Sequence, residues 1–85
     1  MHYRNGREAK NGDMVVQLSN QSGKEGTIVN VGILHDCVQG NEFWYGGIAP
    51  TLTTPGCACM CDCMHIEDIA TMLKEKGLDK RPSGM

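Results

Sequence analysis

The chain is poor in aromatic residues, with one Trp, two Tyr and one Phe, and it holds only three prolines. It has no apolar run long enough to cross a bilayer, and no stretch behind the early basic residues Arg4, Arg7 and Lys10 that would serve as the apolar part of a signal peptide. A strong charge of one sign is absent too. Eight basic against ten acidic side chains leave a formal charge of −2, which gives no long-range field to gather nucleic acid or an anionic membrane. Also missing are the Cys-x-x-Cys pairs of structural zinc sites, the longer glycine pattern that would turn Gly23-Lys24 into a phosphate loop, and any internal repeat. Together these absences point to a cytoplasmic chain whose cysteines stay reduced.

What is present is glycine and short β-branched runs. Eleven glycines in 85 residues divide the sequence into brief segments, and a chain of this length forms one domain with a small core. Asn5-Gly6 and Asn11-Gly12-Asp13 are turn signals with a polar stretch between them, so residues 1–11 read as a flexible N-terminal segment. Met14-Val15-Val16-Gln17-Leu18 alternates as a half-buried strand, with Met14, Val16 and Leu18 on one face. Residues 27–33 form a second strand, with Val29, Val31 and Ile33 turned to the core. Gln39-Gly40-Asn41 predicts a hairpin turn into a third strand at Glu42-Phe43-Trp44-Tyr45, which Gly46-Gly47 ends. From Ile66 the period becomes helical. Ile66, Ile69, Ala70 and Leu73 share a face, acidic residues come early and lysines late, Gly77 is a stop, and no strong N-cap precedes the segment. The expected fold is mainly β, a small SH3-like open barrel of four to five strands with a short C-terminal helix. Residues 12–77 form the domain, and 78–85 are a disordered tail.

Gly12-Asp13-Met14-Val15-Val16, followed by a polar loop and Gly23-Lys24-Glu25-Gly26-Thr27-Ile28-Val29, resembles the two-strand unit of KOW and related SH3-like small barrels; the likeness is taken over residues 12–33. It implies a binding role through loops, toward RNA or protein. The opening residues 3–13 are similar to the start of short accessory proteins of phages and other mobile elements, which implies a setting and no chemistry.

The remaining signal is Cys57-Ala58-Cys59-Met60-Cys61-Asp62-Cys63. On a straight strand successive cysteines lie about 6.6 Å apart, all on one face. Sulfurs sharing a tetrahedral ion lie within about 4.6 Å, and a disulfide needs its Cβ atoms about 3.5–4.5 Å apart, so a straight strand permits neither. Such a strand packs its thiols as small hydrophobes. A bent backbone instead gathers Cys57, Cys59, Cys61 and Cys63 around copper(I) or zinc, with Met60, Met64 and His65 nearby. The strand periodicity of the region and the lack of a second cysteine pair favour packing, which leaves no cofactor; the thiolate site stands as the alternative.

No catalytic residue is expected. His35 and Cys37 lack an orienting partner, His2 and His65 are lone histidines, and Glu67 and Asp68 are helix-start charges. The candidate interaction surface is Lys24 in the glycine-bounded loop and Trp44 in the aromatic run. The resulting expectation is a non-enzymatic interaction module that binds protein or self-associates by burying an edge strand, with RNA binding as a further alternative.

Overall fold

A computed structural model describes residues 1–83. Five antiparallel strands form one sheet that does not close: β1 (Met14–Leu18), β2 (Ile28–Gln39), β3 (Trp44–Pro50), β4 (Ala58–Cys59) and β5 (Cys63–His65), followed by α1 (Ile66–Glu75). The order β4-β3-β2-β1-β5 is a four-strand meander with β5 returning beside β1. A 3-10 turn at Met60–Asp62 makes that return. This is the small open barrel with a C-terminal helix that the residue pattern predicts. No helix among the described residues is long and apolar enough to cross a membrane.

The twelve-residue β2 is the spine of the sheet, because its first half pairs with β1 and its second half with β3. The β3 strand is longer than expected and runs straight through Gly46 and Gly47. Both are buried in close contact: a β-carbon at Gly46 would stand 3.0 Å from Leu34 Cδ1, and one at Gly47 would stand 2.5 Å from His35 Nε2, so neighbouring side chains would have to shift. They are spacers between strands, not strand ends. The same holds at Gly32, where a β-carbon would overlap the Ala49 carbonyl of β3.

The core lies on one face of the sheet. Val15, Leu34, Ile48, Ala58, Met60 and Cys63 are almost wholly buried there. The expected core face of β2 is the wrong one. Val31 and Ile33 stand 42% and 39% exposed, while Gly32 and Leu34 point inward. Register explains the reversal, since Val15 pairs with Gly32 and Leu34 pairs with Ile48, so Gly32 and Leu34 meet the packed layer. Val29 falls at the bulge where the β1–β2 register shifts, and it too is exposed. Val16 and Leu18 are buried outside that core cluster, and α1 contacts β1 and β5.

Residues 1–11, expected to be flexible, are part of the fold. Tyr3 and Ala9 are buried in the core cluster. A tight hairpin forms as Tyr3 N–H donates to Arg7 O (2.8 Å) and Ala9 N–H to Met1 O (2.9 Å), and Arg4 N–H docks on Cys63 O (3.0 Å). Burying the Tyr3 ring contributes about 2 kcal/mol, which offsets much of the entropy lost in ordering the strap. At the other end, Leu78 N–H reaches back to Leu73 O (2.8 Å) with Gly77 at φ 71, closing α1 as the stop signal predicts. Residues 79–83 are exposed, and the last two positions of the expected tail, 84 and 85, lie outside the described residues.

Gly32→Ala is expected to lower folding stability by about 3 kcal/mol in urea unfolding, because the added methyl meets backbone and not a movable side chain.

Candidate functional site

Residues 57–63 are not one strand. The chain must pass from β4 at one edge of the sheet to β5 at the other, and it does so by bending at Met60–Asp62, where Cys63 N–H donates to Met60 O. The packed-strand reading is corrected by that crossing. Ala58, Met60 and Cys63 turn into the core and anchor the bend, leaving Cys57 and Cys61 exposed and Cys59 half-buried. The Arg4 guanidinium holds the outside of the turn, with Nε donating to Cys61 O (2.9 Å) and Nη2 paired with Asp62 Oδ1 (3.1 Å).

The bend does not gather all four sulfurs. Cys59 Sγ and Cys61 Sγ approach to 2.6 Å, and with an Asp62 carboxylate oxygen they form a group whose ligand atoms lie within 4.8 Å of one another. Cys57 and Cys63 fall outside that group, so the closed four-thiolate site is not assembled. Cys63 instead donates to Cys59 O (3.3 Å), and burial pushes its thiol up to about 12, with Asp62 adding to the effect. Burial also raises Cys61, to about 11, helped by its hydrogen bond with Cys59. Cys37 is buried near the end of β2 and is likewise raised by desolvation.

The other expected site residues are scattered. Lys24 lies in the exposed β1–β2 loop, and Trp44, packed against the core cluster, opens β3 after the β2–β3 turn. These loops sit at opposite ends of β2, so the two side chains do not form one surface. The Cys37 backbone N–H is held by Asn11 Oδ1 (3.1 Å), and a register shift separates His35 from Val38. His35 Nδ1 is engaged by Asp36 Oδ2 (2.8 Å), while its Nε2 faces Gly47.

A second cluster brings together residues that the sequence pattern treats singly, with His65 read as a lone histidine and Glu67 and Asp68 as helix-start charges. Asp13 Oδ2 accepts from the Tyr3 hydroxyl (2.7 Å) and from Lys10 N–H (3.1 Å), while Asp13 Oδ1 lies 3.8 Å from His65 Nε2. His65 Nδ1 accepts from Glu67 N–H (3.0 Å), so this imidazole is the N-cap of α1 that the sequence appeared to lack. Tyr3 and His65 also meet edge to face at 6.2 Å. Nearby, Arg7 pairs with Asp68 (3.1 Å) and Glu67 (2.9 Å), and Asn5 donates to Asp68 (2.9 Å), fastening the strap to the first turn of α1. The Asp13 signal was its place beside Gly12 in a turn; Tyr3 gave none, being a lone aromatic in a polar stretch.

Chemically, the Asp13 cluster is a clamp in which Asp13 Oδ2 and His65 Nδ1 are engaged by protein donors, while Asp13 Oδ1 and His65 Nε2 face each other at 3.8 Å. The Cys59–Cys61 pair is the one place among the described residues where two nucleophilic groups touch and one is exposed. Comparison with protein-family models, with curated proteins and with solved structures finds no match for this chain.

Burial pushes the Asp13 carboxyl up, but the bonds from Tyr3 and Lys10 and the neighbouring His65 and Arg7 outweigh it and hold the group below its usual value. A lowered carboxyl stabilises the fold fully above about pH 4 and loses that contribution as pH falls through the folded-state value. Urea unfolding between about pH 6 and pH 2.5 should therefore show wild-type stability falling on acidification. In Asp13→Asn the protein starts less stable at pH 6 and loses less on the way down.

Proposed function

We propose that this chain is a non-enzymatic protein-interaction module that pairs with a second copy of itself through the outer face of β1 and β2. The observation that carries the reading is the row of apolar side chains opposite the core. Met14 lies across from Ile33, and Val31 lies across from the buried Val16; Met14, Val31 and Ile33 are all substantially exposed. Ile28 and Val29 extend the exposed apolar surface along β2. Contiguous apolar surface on the order of a few hundred Å² is uncommon on a soluble monomer and marks an interaction site.

A second copy suits this face for two reasons. None of these residues carries a charge, so the patch offers nothing that a charged partner would complement, and it can meet itself about a two-fold axis without repulsion. The sheet edges, by contrast, are poor templates for adding a strand. The edge strands β4 and β5 are two and three residues long, and the overhang of β2 is capped where Thr51 Oγ1 accepts from Val31 N–H (2.9 Å) and donates to Val31 O (2.8 Å). Self-association by an exposed edge therefore gives way to association by a face.

Resemblance of residues 12–33 to KOW-type units supports a binding role. The net charge of −2 and the single exposed lysine of the β1–β2 loop favour protein over RNA. In this reading the module works in the cytoplasm, with its five cysteines as thiols at rest.

Sedimentation velocity at high micromolar concentration is expected to find a dimer for the wild type and a monomer for Ile33→Lys, with the thermal midpoint of the variant little changed because residue 33 lies outside the core. A wild type that remains monomeric overturns the reading.

A further inference from the structure

We infer that Cys59 and Cys61 form a redox-active dithiol that exchanges with low-molecular-weight disulfides and closes to an intrachain bridge across Met60. This goes beyond the interaction reading and does not rest on it. The pair is built by the fold. Ala58 and Met60 are seated in the core on either side of Cys59, Cys63 is fully buried after the turn, and Arg4 holds the Cys61 carbonyl from outside. The two sulfurs are thus presented together on the outer side of an anchored bend. Their separation of 2.6 Å puts the two sulfurs in direct contact.

Neighbouring cysteines are excluded from the same chemistry by position. Cys63 is buried with its thiol donated to the Cys59 carbonyl, and Cys37 is buried in the core cluster. Cys57 is exposed but lies outside the group formed by Cys59, Cys61 and Asp62. Asp62 is itself paired with Arg4, so the carboxylate is already engaged and the two thiols are the free functional groups of the bend.

The step balances with a small disulfide, RSSR, as oxidant. Cys61, exposed but with its thiol raised to about 11, attacks one sulfur of RSSR through its minor thiolate form, forming Cys61–S–S–R and expelling RS⁻, so the exchange quickens as pH rises. Deprotonated Cys59 then attacks the Cys61 sulfur, forming the Cys59–Cys61 bond and releasing the second RS⁻. Both electrons pass to RSSR, the two thiol protons end on the two RSH products, and a thiol such as reduced glutathione reverses the sequence. An exposed pair that closes so short a loop belongs with labile, regulatory disulfides and not with structural staples.

The test is equilibration of the whole chain in glutathione buffers of increasing disulfide fraction, followed by acid quench, alkylation and mass mapping. The expected result is a mass loss of two hydrogens per chain, assigned to the peptide holding Cys59 and Cys61, reversed by reduced glutathione. Cys57 remains alkylatable and Cys37 and Cys63 react only after unfolding. Cys57→Ser keeps the bridge, whereas Cys59→Ser and Cys61→Ser each lose it and Cys61 alone retains a glutathione adduct in Cys59→Ser. Five free thiols at every buffer ratio overturn the proposal. A bridge made through Cys57 overturns it equally, as does a glutathione adduct that persists on Cys61 in the wild type. A copper(I) or zinc ion retained tightly enough to withhold the pair from oxidation would assign the bend to metal binding instead.

Discussion

A five-stranded sheet built on one long strand has two faces, and a chain of 85 residues has too little polypeptide to cover both. Every other feature of this protein follows from which face is covered. The inner face is filled by Val15, Leu34 and Ile48 from three adjacent strands, and it needs a lid. The N-terminal strap supplies one part of that lid with Tyr3 and Ala9, and the bend between β4 and β5 supplies the other with Ala58, Met60 and Cys63. On the outer face Val16 and Leu18 of β1 are buried, but Val31 and Ile33 of β2 are left in solvent.

The lid sets the polar chemistry. A strap with two turns brings a tyrosine hydroxyl and several backbone donors to the edge of the core, and buried polar groups need partners. Asp13 meets that need at the point where strap becomes strand, taking the Tyr3 hydroxyl and the Lys10 N–H together. His65 links the same region to the helix by capping it. Exposed ion pairs such as Arg7 with Glu67 contribute little by comparison, since water and salt screen them. The bend is held in a similar way, with Met60 as the anchor inside and Arg4 as the tie outside, and the closeness of Cys59 and Cys61 is a by-product of how that turn must be made.

Much of this architecture is legible in the residues. The strand at Met14–Leu18, the turns at Gly6 and Gly12, the β2–β3 hairpin and the helix from Ile66 to its glycine stop all follow from local pattern. What local pattern misses is set by long-range contact. Alternation in β2 favours its odd positions, because Val31 and Ile33 are more apolar than Asn30 and Gly32, yet pairing with β1 and β3 buries Gly32 and Leu34. Gly46-Gly47 has the composition of a strand end, and only the neighbouring Leu34, Cys37 and His35 reveal it as a close approach. The cysteine run keeps strand periodicity in sequence, but the need to cross from one sheet edge to the other bends it. His65 is outside the usual capping residues, so its role appears only in the hydrogen bond it accepts from Glu67.

The outer face is thus the surface that folding leaves unfinished, and the account stands or falls on whether another copy finishes it. Two-dimensional NMR spectra of the wild type recorded over a dilution series would test this residue by residue. Concentration-dependent shifts confined to Met14, Val16, Val31 and Ile33 and their immediate neighbours are the predicted result. Spectra that do not change with concentration, or shifts centred on β4, β5 or the Lys24 loop, would contradict it.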